Sequence, residues 1–525
     1  MISAFTGQQI RDAEQPLLDS GEGAVLMQRA AYGLALAVVR EVRQQRRLPG
    51  AAVAVLVGSG NNGGDGLFAG ALLARRGMRV TAILASSKVH SEGLAAFLAA
   101  GGRSLQLGAG NAEELAVLCA GHDAVVDALL GTGARGGLRE DPAELVACLQ
   151  ELRPRLVVAC DLPSGLDANT GEVHWPVLEA DVTVTFGGIK AGLMADPGAG
   201  CAGRVELVPI GIEESLNSAT PELRRLTAAD LHRVLPKPER RAQKYSRGVL
   251  GVVAGSSRFV GAAVLCVHSA ALTGAGMVRY LGPETAAREV LGRTPEALWE
   301  SGSPGRVQAW LLGPGVDGDE QLERVRAALK DAGSSELPVV LDAGALSALP
   351  GRCPPQWILT PHAGELATLL ASLSGPGEAA VTRDDVESRP LHFARHAARQ
   401  TGATVLLKGA TTLVASPSGV AFCQSEGTPW MATAGSGDVL AGLLGALLVQ
   451  SVESIQDDDG PYAALGLEHD DRWAALAACA ASIHGRAGTA ASAEHGGGPI
   501  TASAIMAAVP GIIGSLCAEY DHRRP

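Results

Sequence analysis

The chain has 525 residues, 47% hydrophobic and 19% charged, which excludes a disordered, self-repelling polymer and leaves room for two to four domains at roughly 150 residues each. Its net charge of −12 argues against nucleic acid or an anionic membrane as a partner, although amide groups at a helix start can still hold an anionic ligand. Nine cysteines without a CxxC pair speak against a zinc site or a disulfide framework, and neither a signal-like start nor a run of ~18 apolar residues occurs, so a soluble cytoplasmic protein is expected.

Short β-rich runs alternate with Ala/Leu-rich helical stretches, the pattern of an α/β fold in which helices cover a parallel sheet. Strands are predicted at residues 53–57, 80–84, 124–129, 156–160 and 182–186, and again at 249–253, 278–281, 309–312, 338–341, 357–359 and 404–407. Between the two sets, over residues 212–245, the alternation breaks at Pro221, Pro236 and Pro238, with Arg240, Arg241 and Lys244 nearby. This places a boundary near residue 220 and predicts two domains, 1–220 and 221–525. With aromatics at only 3%, the cores must be built from Ala, Val and Leu.

The first predicted strand runs into Asn61-Asn62-Gly63-Gly64-Asp65-Gly66 and then a helix. A glycine-rich turn before a helix start suits phosphate or pyrophosphate, while the asparagines and Asp65 can orient a ligand. Two more strands end in polar residues, at Asp127 before Gly131-Thr132-Gly133 and at Asp161 before Leu162-Pro163-Ser164-Gly165. Ligands of open parallel sheets bind outside the carboxyl ends of the strands, so these three ends are expected to share one site. Asp161, at a strand end, is the candidate acid–base group. Lys190, in Phe186-Gly187-Gly188-Ile189-Lys190, either reaches this cleft or is a solvated surface lysine.

In the second half, Thr433-Ala434-Gly435-Ser436-Gly437-Asp438 precedes a long apolar helix. The free amides of its first turn would form an anion hole, with Asp438 placed to take a proton from a substrate hydroxyl. Lys408-Gly409-Ala410-Thr411-Thr412 follows a predicted strand and suits nucleotide phosphates, and Thr360-Pro361-His362-Ala363-Gly364-Glu365 presents His362 at another strand end. Gly313-Pro314-Gly315 and Gly255-Ser256-Ser257 add rim turns, the latter followed by Gly261-Ala262-Ala263.

These motifs resemble a known family. NNGGDG, DALLGTG and DLPSGLDANTG, in that order over about residues 1–215, are similar to the epimerase domain of the NAD(P)H-hydrate repair enzymes. YSRG, AGSSRFVGAA, GPG, TPHAGE, KGATT and GSGDVLAG, over roughly 240–445, resemble its ribokinase-like dehydratase domain. The resemblance implies a Rossmann-like three-layer domain followed by a ribokinase-like α/β domain. The first would interconvert the R and S forms of NADHX and NADPHX; the second would dehydrate the S form at the expense of ADP, giving AMP and phosphate.

Motif by motif, the resemblance implies hydrate contacts in the first domain at Asn61, Asn62, Gly63, Gly64, Asp65, Gly131, Thr132, Gly133, Ala134, Arg135, Gly136, Gly137 and Asp161, and a potassium ion on Asn62, Asp127 and Ser164. In the second domain it implies hydrate contacts at Ala263, Gly315, His362 and Asp438, and nucleotide contacts at Lys408, Gly409, Ala410, Thr411, Thr412 and Gly437. Magnesium is expected with the ADP. The partners expected are these small molecules and further copies of the chain, in a homo-oligomer, with no nucleic acid and no membrane.

Three motifs depart from the family pattern: PHAGE stands for PHPGE, GPGVD for a more glycine-rich turn, and Asp342-Ala343-Gly344 for D-A-D. Two other readings keep the folds. One makes the second domain a kinase of a hydroxymethyl-pyrimidine or a sugar, and the other makes the first a non-catalytic interaction module of the kind found in RNA-decapping scaffolds. The retained Asn62, Asp127, Asp161 and Ser164, together with the acidic charge, argue against the module.

Overall fold

A computed structural model describes residues 1–302, 305–375 and 379–518. The chain divides into two compact units, Ser3–Leu223 and a second made of Met1–Ile2 with Arg224–Pro525.

In the N-terminal unit seven parallel strands lie in the order Arg103–Gln106, Arg79–Leu84, Ala52–Val57, Ala124–Ala128, Val157–Cys160, Val182–Phe186 and Arg204–Val208. Every residue of Ala52–Val57 is buried, as expected of a parallel strand covered on both faces. Its side chains alternate between two cores: Val53, Val55 and Val57 pack in one with helix Gly23–Gln45, and Ala54 and Leu56 pack in the other with helices Ala112–Ala120 and Glu140–Leu152. From Ala52–Val57 the chain moves outward through two strands and returns on the other side as Ala124–Ala128. The reversal opens a crevice beyond their carboxyl ends, where residues 58–62 and 129–133 emerge.

The C-terminal unit repeats the device. Leu298–Trp299, Met277–Leu281, Val249–Val253, Ala309–Leu312, Val339–Leu341, Trp357–Leu359 and Thr404–Leu407 are parallel neighbours in that order, with the reversal between Val249–Val253 and Ala309–Leu312. The sheet is not parallel throughout, as the alternation suggested. Thr412–Ala415 pairs antiparallel with Thr404–Leu407, and Ala421–Gln424 antiparallel with Thr412–Ala415. The tight Gly409-Ala410 turn leaves no room for a crossover helix, so the chain folds back on itself.

Each of the eleven strand predictions meets an observed strand, with ends shifted by one residue at most. The edge strands Arg103–Gln106 and Arg204–Val208 were not visible in the pattern, because Arg103, Ser104 and Gln106 in one and Arg204 and Glu206 in the other break the apolar run. Cys119, Cys148, Cys160, Cys201, Cys266, Cys353 and Cys479 are outside any disulfide. Helix Ser436–Gln456 is long and apolar enough to cross a membrane by length and composition, but it is mostly buried inside the unit.

That helix is seated by glycine. A side-chain carbon at Gly442 would overlap the Cys266 carbonyl of helix Val260–Leu272 and lie 2.9 Å from Ser269 Cβ, and the Ser269 hydroxyl donates to the Val439 carbonyl at 2.7 Å. Gly442→Ala is therefore expected to lower the stability of the C-terminal unit by about 1–3 kcal/mol, the usual cost of overpacking, read as a lower urea midpoint.

Candidate active sites

The crevice of the N-terminal unit contains a cavity of ≈ 590 Å³. Helix Asn61–Arg75 begins at its wall behind Gly60, with no side chain capping its first turn, so its leading amides remain available to an anionic ligand. The close entry depends on glycine: a side chain at Gly63 would overlap the Gly58 carbonyl, and one at Gly66 would come within 2.6 Å of Ala128 Cβ. Asn61, Asn62, Asp65, Gly131, Thr132, Gly133, Ala134 and Asp161 line the cavity. Gly63 and Gly64 are buried behind the wall, while Arg135, Gly136 and Gly137 lie further along the same loop outside it.

Asp161 sits at a positive φ of 70°, a strained conformation that turns its carboxylate inward after strand Val157–Cys160. Lys190 Nζ donates to Asp161 Oδ1 at 2.5 Å and the Thr185 hydroxyl donates to it at 3.2 Å, while Thr132 contributes its amide at 3.2 Å and its hydroxyl to Oδ2. Burial opposes ionisation, but the Lys190 charge and these donors outweigh it and hold the carboxyl below the usual aspartate range. Of the two expectations for Lys190, burial wins. It is 1% exposed and donates also to the Phe186 carbonyl at 3.0 Å.

Asp127, aligned with Leu56 and Ala159 in the sheet, is fully buried. Its carboxylate accepts from Ser164 Oγ at 2.7 Å, Ser164 N at 2.8 Å and Leu129 N at 3.2 Å. Burial raises its pKa and these neutral donors only partly oppose the rise. Asn62 reaches the same group through the adjoining loop: its Nδ2 donates to the Leu130 carbonyl at 2.9 Å, and the Leu130 amide donates to Ser164 Oγ at 2.9 Å.

Arg11, Glu14 and Gln15 also reach the cavity, from helix Gly7–Asp19, and lie outside every motif named above. The available signal was their spacing, which puts positions 11, 14, 15 and 18 on one helix face. Burial raises the pKa of Glu14 despite the opposing charge of Lys190.

In the C-terminal unit Gly435, at φ 88°, caps helix Ser436–Gln456 without a side-chain bond; the Ser436 amide donates to the Thr433 carbonyl at 3.3 Å, and the next amides of the turn, at Gly437 and Asp438, have no side-chain cap. Burial and the nearby Asp342 charge raise the Asp438 pKa to about 6, with Lys408 opposing the rise. Lys408 Nζ donates to Asp342 Oδ1 at 2.8 Å, lies 3.7 Å from Glu365, and sits 3.5 Å from where a side-chain carbon on Gly437 would be. Desolvation would lower the Lys408 pKa, yet Asp342 and Glu365 raise it, so the ammonium stays charged. Lys408, Gly437 and Asp438 thus converge. Asp342 remains the partner of Lys408 although D-A-G replaces D-A-D.

His362 is more exposed than its strand-end position implied, and it caps helix Ala363–Leu373. Its Nδ1 accepts from Gly364 N at 3.1 Å and Glu365 N at 3.2 Å, while Nε2 lies 3.6 Å from Glu365 Oε1. At the switch point the Gly255 amide donates to the Pro314 carbonyl at 2.7 Å, bringing the 255 and 315 turns together. Ala263 is fully buried behind them, and a side-chain carbon at Gly255 would meet its Cβ at 2.8 Å. Gly409 and Ala410 are exposed, Thr411 is buried and Thr412 half-buried. The buried His484, whose Nε2 lies 3.4 Å from the hydroxyl of Ser436 in the glycine-rich turn, is an addition that no local pattern announced.

Comparison with known proteins gives two family matches, a model described as YjeF-related protein N-terminus over residues 23–192 and one described as NAD(P)H-hydrate dehydratase over 250–510. The bifunctional NAD(P)H-hydrate repair enzyme Nnr of Mycobacterium tuberculosis is 40% identical over 463 residues, covering 86% of this chain and 90% of that protein. The Corynebacterium glutamicum enzyme of the same name is 33% identical, with all of both chains covered. Among solved structures, the ADP/ATP-dependent NAD(P)H-hydrate dehydratase of Bacillus subtilis, co-crystallised with ATP/Mg2+, aligns at TM-score 0.46 and 23% identity over 56% of this chain and 98% of that one.

Titration of Asp438, followed by carboxyl NMR, is expected to show a midpoint of about 6. In Asp342→Asn the midpoint falls, because losing a neighbouring anion favours the charged form of Asp438 and leaves Lys408 free to stabilise it.

Proposed function

The chain belongs to the bifunctional NAD(P)H-hydrate repair enzymes, and we propose that each of its two units carries one step of that repair. The epimerase domain is assigned to residues 1–220 and the dehydratase domain to 221–525. The observation that carries the reading is the N-terminal cavity, where an uncapped helix start meets a carboxylate held ionised by a buried lysine.

In the first unit the amides of residues 61–63 and the loop 131–137 would hold the dinucleotide, with Asp161 as the base that helps open and re-form the bond at the hydrated carbon. Potassium fits Asn62, Asp127 and Ser164. All three offer oxygen, and the buried Asp127 carboxylate has only neutral donors around it, so a single positive charge would balance it. When bound, the ion would order the loops that carry these residues.

In the second unit, proton removal from the ring hydroxyl by Asp438 would let it attack the terminal phosphoryl group of ADP. AMP leaves, the C–O bond to the phosphate then breaks with phosphate as leaving group, and the adjoining ring carbon gives up a proton whose C–H pair becomes the restored double bond. The Gly437 and Asp438 amides at the start of helix Ser436–Gln456, with Lys408, would balance charge on the phosphoryl oxygens. Residues 408–412 and Gly437 are the proposed nucleotide contacts, and Ala263, Gly315, His362 and Asp438 the hydrate contacts. No group of three or more His, Cys, Asp or Glu side chains is gathered for a metal among the described residues. That donor set suits magnesium arriving with the nucleotide, held mainly by phosphate and water.

The test is recovery of absorbance at 340 nm from mixed R and S hydrate with ADP and magnesium. Complete recovery is expected from the unaltered chain. A stop at the S fraction would remove the epimerase assignment, and no recovery with ADP or ATP would favour a small-molecule kinase. Asp438→Ala is expected to abolish dehydration and keep epimerisation, and Asp161→Ala to do the reverse. Loss of both activities in either folded variant would contradict two independent sites.

A further inference from the structure

Two acidic groups of the N-terminal cavity, Glu14 and Asp65, have no task in the steps above. Asp65 lines the cavity on the first turns of helix Asn61–Arg75 and is only 9% exposed. Its Oδ1 has no hydrogen-bond partner among the described residues. A buried carboxyl oxygen left this way is costly unless a bound ligand or the group's own proton satisfies it.

The two aspartates of this cavity have opposite surroundings. Asp161 has donors on both oxygens, including the Lys190 ammonium. Asp65 has none on Oδ1, and the groups around it are mostly anionic or neutral: Glu14 with Arg11 from helix Gly7–Asp19, Asp161 and Cys160 from the neighbouring strand end, Lys190, and His90 beside Gly64. Burial first, then the charges of Asp161 and Glu14, hold the Asp65 proton on well above the usual aspartate range, with Lys190 opposing them. One cavity therefore offers a carboxyl whose surroundings resist ionisation and one whose surroundings favour it, the arrangement by which two like residues take acid and base roles.

We infer that Asp65 is the proton donor that works opposite Asp161 in epimerisation, a role that rests on the cavity being the epimerisation site. The hydrated carbon carries a hydroxyl and the ring nitrogen. Asp161 takes the hydroxyl proton, the freed O–H pair forms the C=O bond, the C–N pair moves to nitrogen, and Asp65 protonates that nitrogen. The ring is now an open aldehyde, with Asp161 one proton richer and Asp65 one poorer. Rotation about the adjoining C–C bond turns the other face of the aldehyde to the nitrogen. Closure reverses the transfers: nitrogen attacks the carbonyl carbon, its proton returns to Asp65, and Asp161 gives its proton to oxygen. Nothing is oxidised or consumed, and both side chains end as they began.

The experiment is the conversion of purified R hydrate to S by the full chain, corrected for the uncatalysed rate, in Asp65→Asn and Asp161→Asn. For Asp65→Asn, kcat is expected to fall on the order of 10²–10⁴-fold with KM within about threefold, the contribution of one positioned proton-transfer group. The unaltered chain is expected to lose kcat/KM as pH rises and Asp65 deprotonates, and Asp65→Asn to lack that alkaline limb. Binding of NADPH, which has no hydroxyl to react, should stay within threefold and report an intact cavity. A fall in kcat below tenfold overturns the inference, as does loss of NADPH binding together with kcat, which makes Asp65 a structural group. The Asp161→Asn variant separates the two levels. If it epimerises normally the cavity reading itself fails, whereas an inactive Asp161→Asn beside a fully active Asp65→Asn removes only the role of Asp65.

Discussion

The first turn of an α-helix has amide groups that its own hydrogen bonding cannot satisfy, and both candidate sites of this chain are organised around that deficit. Helices Gly7–Asp19, Ala228–Val234 and Ala363–Leu373 close their starts with a side chain, from Thr6, Thr227 and His362. Helices Asn61–Arg75 and Ser436–Gln456 begin instead behind Gly60 and Gly435, without a side-chain cap. Each opens at the carboxyl edge of a largely parallel sheet, where crevices form. An open start of this kind favours an anion and lets the backbone approach it closely, which suits pyrophosphate in one unit and a transferring phosphoryl group in the other.

Glycine makes the arrangement possible by packing as much as by flexibility. Gly63 and Gly66 let the first helix settle on the ends of strands Ala52–Val57 and Ala124–Ala128, and Gly442 lets the second lie against helix Val260–Leu272. The cost is that carboxyl groups near these starts are carried into poorly solvated places, and their behaviour then depends on what each one meets. Asp161 meets Lys190 and stays ionised, Asp127 meets only neutral donors, and Asp438 lies between Asp342 and Lys408 with a pKa of about 6. Four aspartates of identical intrinsic chemistry, with Asp65 the fourth, are thereby given different proton affinities. The Asp161–Lys190 pair is also a structural commitment, since deleting one partner of a buried pair typically costs about 3–5 kcal/mol.

Much of this was legible in the sequence. The alternation of apolar runs and helical stretches, the three glycine or polar strand ends of the first half and the GSGD turn of the second are local patterns. Strand period, turn chemistry and helix starts act over a few residues, so the eleven strands and the positions of Asp161 and Asp438 at element ends could be read directly. Family resemblance extended that reading to the division of labour between the halves, which the relatives support.

What only the tertiary structure decided are the partnerships between distant residues. Lys190 looked equally like a surface residue until it closed on Asp161, 29 positions away, and Lys408 found Asp342 across 66. Glu14 is marked in the sequence only by its place on one face of an amphipathic helix, and it enters the cavity because that helix packs over the sheet's crevice. The antiparallel return of Thr412–Ala415 likewise depends on which neighbouring edge is open. The sequence by itself determined where each element starts, stops and carries polar side chains, since those choices are made by short-range sterics and hydrogen bonding. Which carboxyl group keeps its proton was left to the fold, because desolvation and Coulomb interactions depend on distances in space rather than along the chain.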